Sequence, residues 1–244
     1  MRFRDSFETR EKAPMDLVTD ADFASQQAIH DAIQAAFPDH HFLGEENLDL
    51  PLMQNENSDF TWIVDPLDGT LNYVHGLQSF SVSVALQYCG KIIASAVYDP
   101  WLQEMYSADS QSVATLNGLP INSSECTALD KALGVISLPT ALHPNSPELQ
   151  DFLKLLFAAR SIRRLGSAAL NLCYVAAGRI DFYWATTLKS WDIAGGQLIL
   201  EQAGGQLSDT DGSPFDLENP RLLAASTAEL SRQTLQALQG EPSF

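Results

Sequence analysis

The sequence predicts a layered α/β fold of the α+β kind, and three observations carry that prediction. Short apolar runs separated by turn-forming residues crowd the first half of the chain. Beyond residue 147 helical stretches alternate with short strands, a rhythm that packs helices against a sheet. No internal repeat, low-complexity tract or Gly/Ser-rich linker interrupts the 244 residues, so one domain is expected over 1–244. A soft boundary near 123–130 divides it into an antiparallel α+β half, about 1–125, and an α/β half, about 126–244.

In chain order, residues 21–37 place Phe23, Ile29, Ile33 and Phe37 at helical spacing. Thr19 or Asp20 caps that helix and Pro38 stops it. Apolar runs at 41–43 and 60–64 read as strands. Runs at 80–87 and 92–98 flank the turn-like Cys89-Gly90 and predict a hairpin. Strands at 102–107 and 112–116 continue the sheet, the second ending at Asn117-Gly118, a tight-turn pair. In the second half, helices are expected over 147–159, 167–177, 191–203 and 227–239. Strands are expected over 161–164, 180–184 and 221–225. Gly178 and Gly204-Gly205 close two of those helices.

Composition excludes several functions. With 14 basic against 31 acidic residues, the formal charge of −17 lacks the basic footprint of a general nucleic-acid or anionic-membrane binder. Cys89, Cys126 and Cys173 form no CxxC pair, so neither a zinc ribbon nor a thioredoxin-like motif is present. The charged start MRFRDSFETREK has no apolar core for a signal peptide, and residues 165–178 are too few and too polar to span a bilayer. A cytoplasmic protein with reduced thiols is expected. The five histidines form no HExxH, and no GxSxG elbow, Walker loop or GxGxxG follows a strand. His75 is expected to be structural.

The stretch WIVDPLDGTLN, residues 62–72, carries the chemistry. Pro66 fixes its own φ and disfavours helix at Asp65, so the chain turns sharply after the strand. Gly69 permits close backbone approach, and Thr70 can open a helix whose first amides are free for a phosphate. An aspartyl-phosphate mechanism needs two aspartates separated by one residue, the first as nucleophile. Leu67 holds that place and cannot attack phosphorus. The alternative is a hard-cation site, because Mg²⁺ prefers oxygen ligands and is usually shared with substrate phosphate. Further acids are on offer in Gly44-Glu45-Glu46, in Ser190-Trp191-Asp192, and in Asp16, Asp20 and Asp22 ahead of the first long helix. Each alone reads as a solvated turn or a helix-terminus charge; their conjunction and order carry the inference.

That order resembles the inositol monophosphatase family, within the lithium-sensitive, magnesium-dependent phosphatases. The matching motifs are Asp-x-Val-Thr-x-x-Asp, Gly-Glu-Glu, Asp-Pro-Leu-Asp-Gly-Thr and Trp-Asp-x-Ala-Gly, with GSAALNLCYVAAGRID and EQAGGQLSD in the second half. The resemblance implies an αβαβα sandwich and hydrolysis of a small anionic phosphomonoester by metal-activated water, using two or three Mg²⁺ ions. It implies Glu45, Asp65 and the Leu67 carbonyl as ligands of one ion, and Asp65, Asp68 and Asp192 as ligands of another. A third, weaker ion is reached through water from Glu45. Asp22 and Thr70 are implied as the dyad that orients and deprotonates the water, and Glu46 is placed with these catalytic groups. Gly69 and Thr70 amides receive the phosphate, while Gly166, Ser167 and Ala168 line the substrate pocket. Lys12 stands where the family has a lysine linked to a metal-bound water. A homodimer is possible on the same grounds, and some members also serve the transcription machinery, a regulatory alternative to catalysis.

Three departures from the family pattern stand out. The chain begins almost at Lys12, so most of the family's usual first helix is expected to be missing. Ala185 stands at the substrate-facing position, seven residues before Asp192, where inositol-phosphate enzymes commonly carry a glutamate; Trp184 or Lys189 is then expected to reach the pocket. Leu71 replaces a second threonine and is expected to pack into the core. Inositol phosphate, another sugar or polyol phosphate, histidinol phosphate, fructose bisphosphate and a nucleotide 3′-phosphate all remain open as substrates.

Overall fold

A computed structural model describes residues 9–13, 16–46, 58–139 and 142–240, with side chains from Val18 onward. The chain folds into five layers, α/β/α/β/α. Helix α1 (Asp20–Ala36) covers the outer face of a seven-stranded sheet. That sheet runs in the order β3 (His41–Gly44), β4 (Phe60–Asp68), β5 (Ser81–Tyr88), β6 (Lys91–Asp99), β7 (Glu104–Asp109), β8 (Thr115–Leu116) and β9 (Leu119–Pro120). Only β3 and β4 are parallel; every later neighbour is antiparallel. A separate hairpin, β1 (Thr9–Ala13) with β2 (Asp16–Thr19), precedes α1. The short α2 (Thr70–His75) follows β4.

The middle layer is a helix pair, α4 (Ala168–Ala176) and α5 (Ser190–Gln202), packed against each other. Helix α5 lies on the seven-stranded sheet, and α4 also meets the second sheet. The second sheet has the order β11 (Ser161–Arg163), β10 (Leu133–Ser137), β12 (Phe182–Ala185), β14 (Leu222–Ala225) and β13 (Gln206–Ser208). Its β10 runs parallel to both β11 and β12, while β14 is antiparallel to β12 and β13. Helices α3 (Pro147–Ala158) and α6 (Ala228–Gln239) form the last layer.

Local rules explain most boundaries. Thr19 caps α1 through its side chain, which accepts from the Ala21 amide, and Asp22 completes a capping box. Helix α6 starts at Thr227, whose hydroxyl accepts from the Leu230 amide, and stops at Gly240 in the left-handed region. Asn117 and Gly118 both take positive φ, 50° and 79°, as a two-residue hairpin turn requires. Residues 165–178, apolar yet too short for a membrane, turn out to hold the middle helix. Ala169, Leu170, Leu172, Cys173, Val175 and Ala176 have no exposed surface, because a helix between two sheets is covered on every side. Among the described residues no helix is long and apolar enough to cross a membrane.

Five strands escape the pattern. The β1–β2 hairpin lies in a stretch that reads only as charged. Strand β10 is covered on both faces, so it lacks the alternation that marks a half-exposed strand. Strand β9 has only two residues and β13 only three. Elsewhere β4 continues to Asp68 where an end at residue 64 was predicted, and the strands expected over 102–107 and 112–116 shift to Glu104–Asp109 and shrink to Thr115–Leu116. The residues before Lys12 that bear on a missing first helix lie largely outside the described residues.

The middle layer also sets the spacing of the site, because α4 and α5 approach through Gly196. A Cβ there would lie 2.6 Å from the Leu172 Cβ, too close for the helices to keep their separation. Gly196→Ala is therefore expected to destabilise the fold by about 1–3 kcal/mol, the usual cost of overpacking a core. Urea denaturation checks this; an unchanged midpoint would mean that the two helices are not held at that distance.

Candidate active site

The turn after β4 is built by residues that cannot continue the ladder. Pro66 has no N–H to give β5, and the β4–β5 register slips between Asp65 and Asp68. The Leu67 amide turns inward and donates to Asp65 Oδ1 at 3.0 Å. Ser25 on α1 donates to the Pro66 carbonyl at 2.8 Å. Gly69 then takes φ 92°, where an L side chain is strained. Its missing Cβ would sit 2.9 Å from the Ser79 carbonyl oxygen and 3.1 Å from that of Gly166. The chain can pass between those two segments only as glycine, and Thr70 then opens α2.

Asp68 is buried and reaches across the molecule. Its Oδ2 accepts from the Ser167 hydroxyl at 2.5 Å and the Ala169 amide at 2.8 Å, with Ser81 at 3.5 Å. Its Oδ1 accepts from the Ala168 amide at 3.0 Å. These donors include the otherwise unpaired first amides of α4, so a carboxylate satisfies a helix N-terminus. Asn72 adds a second tie. Its side-chain amide donates to the carbonyls of Ser79 at 2.6 Å and Leu165 at 2.7 Å, fixing the 165–167 turn beside α2.

Asp22 and Thr70 meet although 48 residues separate them. The Thr70 hydroxyl lies 3.1 Å from Asp22 Oδ1 and 3.1 Å from the Leu67 carbonyl; its single hydrogen can serve one of them at a time. Asp22 is itself held through Oδ2, which accepts from the Thr19 amide at 2.8 Å and the Thr19 hydroxyl at 2.6 Å. It is fully buried.

The acids brought together here repel one another. Burial pushes the Asp65 carboxyl well up, and Asp68, Glu45 and Asp192 raise it further. Burial also raises Asp68, against the opposing pull of the Ser167, Ala169 and Ala168 donors. Asp192 is pushed up to about 7 by burial and by Asp68, although the Lys189 amide donates to its Oδ2 at 2.7 Å. As they stand, no three His, Cys, Asp or Glu side chains among the described residues converge on one ion. Asp65, Asp68 and Asp192 each accept main-chain amides. The donor set nonetheless fits Mg²⁺, being all carboxylate and carbonyl oxygen with no thiolate or imidazole. Buried carboxylates that destabilise each other are relieved by a cation.

The structure thus brings Asp22, Thr70, Leu67, Asp65 and Asp68 to one turn and sets Glu45 and Asp192 within electrostatic reach of Asp65. Glu46 is buried, its main chain clasped by Gln26, which donates to the Glu46 carbonyl at 2.7 Å and accepts from its amide at 2.9 Å. Gly166 and Ala168 line the adjoining cleft. Ser167 instead spends its hydroxyl on Asp68. Lys12 falls on β1, and its side chain lies outside the described residues.

Three expectations are corrected. Ala185 does not face substrate; it has no exposed surface and packs in the core beside α4 and α5, because β12 is covered on both faces. Trp184 is likewise fully buried, in the other core cluster. Leu71 does not enter the core: it is 59% exposed and stands on the cleft wall, since α2 is a single short helix at the rim. Sequence reasoning named Thr19 only as a helix cap, and it missed Gln26, Ser81 and Asn72. Gln26 had a signal, lying one helical turn after Asp22 on the same face of α1; the others are ordinary polar residues until the fold supplies their partners.

Comparison with known proteins agrees with this geometry. The inositol monophosphatase family matches over residues 1–243. The chain is 40% identical over 232 residues to inositol monophosphatase 1 of Solanum lycopersicum, covering 93% of this chain and 84% of that protein. It is 38% identical over 226 residues to Nus factor SuhB of Pasteurella multocida, covering 91% and 83%. The crystal structure of extragenic suppressor protein suhB from Bartonella henselae superposes with a TM-score of 0.90 at 33% identity, covering 97% of this chain and 90% of that one. With its five layers, its Asp-Pro-Leu-Asp-Gly-Thr turn and a match across nearly every residue, the chain belongs to the inositol monophosphatase family.

Proposed function

We propose that this protein hydrolyses a small phosphomonoester with Mg²⁺ as cofactor and without a phosphoenzyme. The observation that carries the reading is the Thr70 hydroxyl, bonded to a buried and doubly anchored Asp22 at the edge of the carboxylate group. Glu45, Asp65 and the Leu67 carbonyl would hold one ion, and Asp65, Asp68 and Asp192 a second, with Glu45 reaching a weaker third through water. Bound Mg²⁺ neutralises the phosphate dianion and makes a coordinated water more acidic.

The chain's own groups position the reactants and move the proton. In the working arrangement the Thr70 hydroxyl donates to Asp22 Oδ1, and the Leu67 carbonyl would be left to hold an ion. Thr70 Oγ then presents its lone pairs to the attacking water. As the water oxygen bonds to phosphorus, its proton passes to Thr70 Oγ and the threonine proton to Asp22 Oδ1. The ester P–O bond breaks, the alcohol leaves with that electron pair and takes a proton from solvent, and Asp22 returns its proton to solvent to close the cycle. Thr19 keeps the Asp22 carboxylate aimed throughout, while the Gly69 and Thr70 amides at the start of α2 receive phosphate oxygens. Glu46, buried next to Glu45 in the chain, would supply a further carboxylate for ordered water. Leu67 excludes an aspartyl-phosphate route, which needs a second aspartate at its position.

Nus factor SuhB among the relatives supports a second reading, a regulatory role through a partner protein. Asp68→Asn separates the two. A cellular deletion phenotype that the variant rescues favours the regulatory role, and one that it cannot rescue favours catalysis.

Phosphate release from phenyl phosphate, with and without Mg²⁺, tests the reading. Release is expected only with Mg²⁺, and Thr70→Ala is expected to lower kcat by about 10²–10⁴, the range for losing a positioned proton acceptor. Mg²⁺-independent release, or full activity in Thr70→Ala, would refute it.

The acids also predict a pH dependence. A carboxyl whose pKa is raised on folding binds protons in the folded state that the unfolded chain lacks, so stability falls as pH rises through the folded value. For Asp192 that value is about 7, and Asp65 shifts the same way. Protein stripped with EDTA should therefore melt at higher temperature near pH 5.5 than near pH 8, and Mg²⁺ should raise Tm more at pH 8. Below that range Glu104 and Glu229, held low by Arg179 and Arg232, begin to lose their ion pairs. A Tm that rises from pH 5.5 to 8 without metal would contradict the electrostatics.

A further inference from the structure

Beside the carboxylates a cleft of about 490 Å³ opens between α2, the end of β10, the 164–166 turn and the segment before α5. Its walls decide which alcohol the phosphate can be attached to. Away from Asp68 and Asp192 they are aliphatic, with Leu71, Leu138, Leu165 and Leu188 facing the space. The uncharged polar side chains on the wall are already engaged. Asn72 donates to two carbonyls, and the Ser137 hydroxyl pairs with the Tyr183 hydroxyl at 2.9 Å. Ala185, buried behind the wall, brings no acceptor. Apart from the acids assigned to metal, the cleft therefore has, among the described residues, no free carboxylate or amide for the hydroxyls of a polyol.

Arg164 is the exception. It lines the cleft, is exposed, and makes no hydrogen bond or ion pair among the described residues. Its neighbour Arg163, by contrast, donates to the Ser161 hydroxyl and the Ile162 carbonyl. A guanidinium beside leucines, in a protein of net charge −17, is suited to an anion carried on an apolar body: the fork binds carboxylate or phosphate in bidentate fashion. A hydroxyl-rich alcohol would leave its hydroxyls unpaired against leucine side chains.

Resting on the phosphatase reading, we propose that the substrate is a phosphomonoester whose alcohol has an apolar body and a second anionic group. The body lies against Leu71, Leu138 and Leu188, and the anion meets Arg164. A free polyol is the poorer substrate.

The test compares kcat/KM, with Mg²⁺, for inositol 1-phosphate, phenyl phosphate, 4-carboxyphenyl phosphate and benzene-1,4-diyl bisphosphate. Phenyl phosphate should exceed inositol 1-phosphate, and the better of the two anionic compounds should exceed phenyl phosphate by about tenfold, one charge-assisted contact. Whichever anionic compound is better identifies carboxylate or phosphate as the second group. In Arg164→Gln the ratio of that compound to phenyl phosphate should fall to about one, and Leu188→Asn should narrow the advantage of phenyl phosphate over the polyol. Preference for inositol 1-phosphate, or an Arg164→Gln loss equal for every compound, overturns the proposal while leaving the phosphatase reading intact. Release from none of the four overturns the phosphatase reading itself.

Discussion

The Asp68 carboxylate is the contact on which the rest of the site depends. It leaves the end of β4 in one sheet and accepts the Ser167 hydroxyl and the first amides of α4 in the layer between the sheets. A charge-assisted bond of this kind is stronger than a neutral one and is directional at both ends. It places the β4 turn against the 165–167 turn, and Asn72 repeats the tie a few residues later. The floor of the cleft is therefore set by contacts about a hundred residues apart in sequence rather than by either half alone.

That arrangement carries an electrostatic cost. Asp68 and Asp192 raise Asp65, and Asp68 raises Asp192, in surroundings that already disfavour charge. Main-chain amides offset part of the cost, at Leu67 for Asp65, at Ala168 and Ala169 for Asp68, and at Lys189 for Asp192. A divalent cation offsets more. The overall negative charge, which by itself repels a phosphate ester, is then consistent with binding one.

The parts of the fold readable from sequence were those governed by local rules. Capping at Thr19, arrest at Pro38 and the Asn117-Gly118 turn follow from backbone chemistry within a few residues. The acids were legible too, because the spacing of Asp65 and Asp68 around Pro66 forbids one chemistry and permits another. What stayed hidden depends on distant partners. Strand β10 is covered on both faces and has no alternation to detect. Ser81, Thr19 and Asn72 become site residues only once Asp68, Asp22 and the 165–167 turn are brought to them. Ala185 and Leu71 were misplaced for the same reason. Position in a motif says which residues are near a site, but the depth of β12 and the shortness of α2 decide which side chain reaches it.

Because the natural substrate is a matter of the cleft wall while the chemistry belongs to the acids, the central claim is tested most directly without substrate. Mn²⁺ can be titrated into the metal-free protein and followed by electron paramagnetic resonance, beside Asp65→Asn and Asp192→Asn. Asp65 is assigned to both ions, so the account predicts spin-coupled Mn²⁺ in the wild type, loss of coupling in Asp65→Asn, and retention of one ion in Asp192→Asn. Absence of stoichiometric binding by the wild-type protein, or coupling that survives Asp65→Asn, would contradict it.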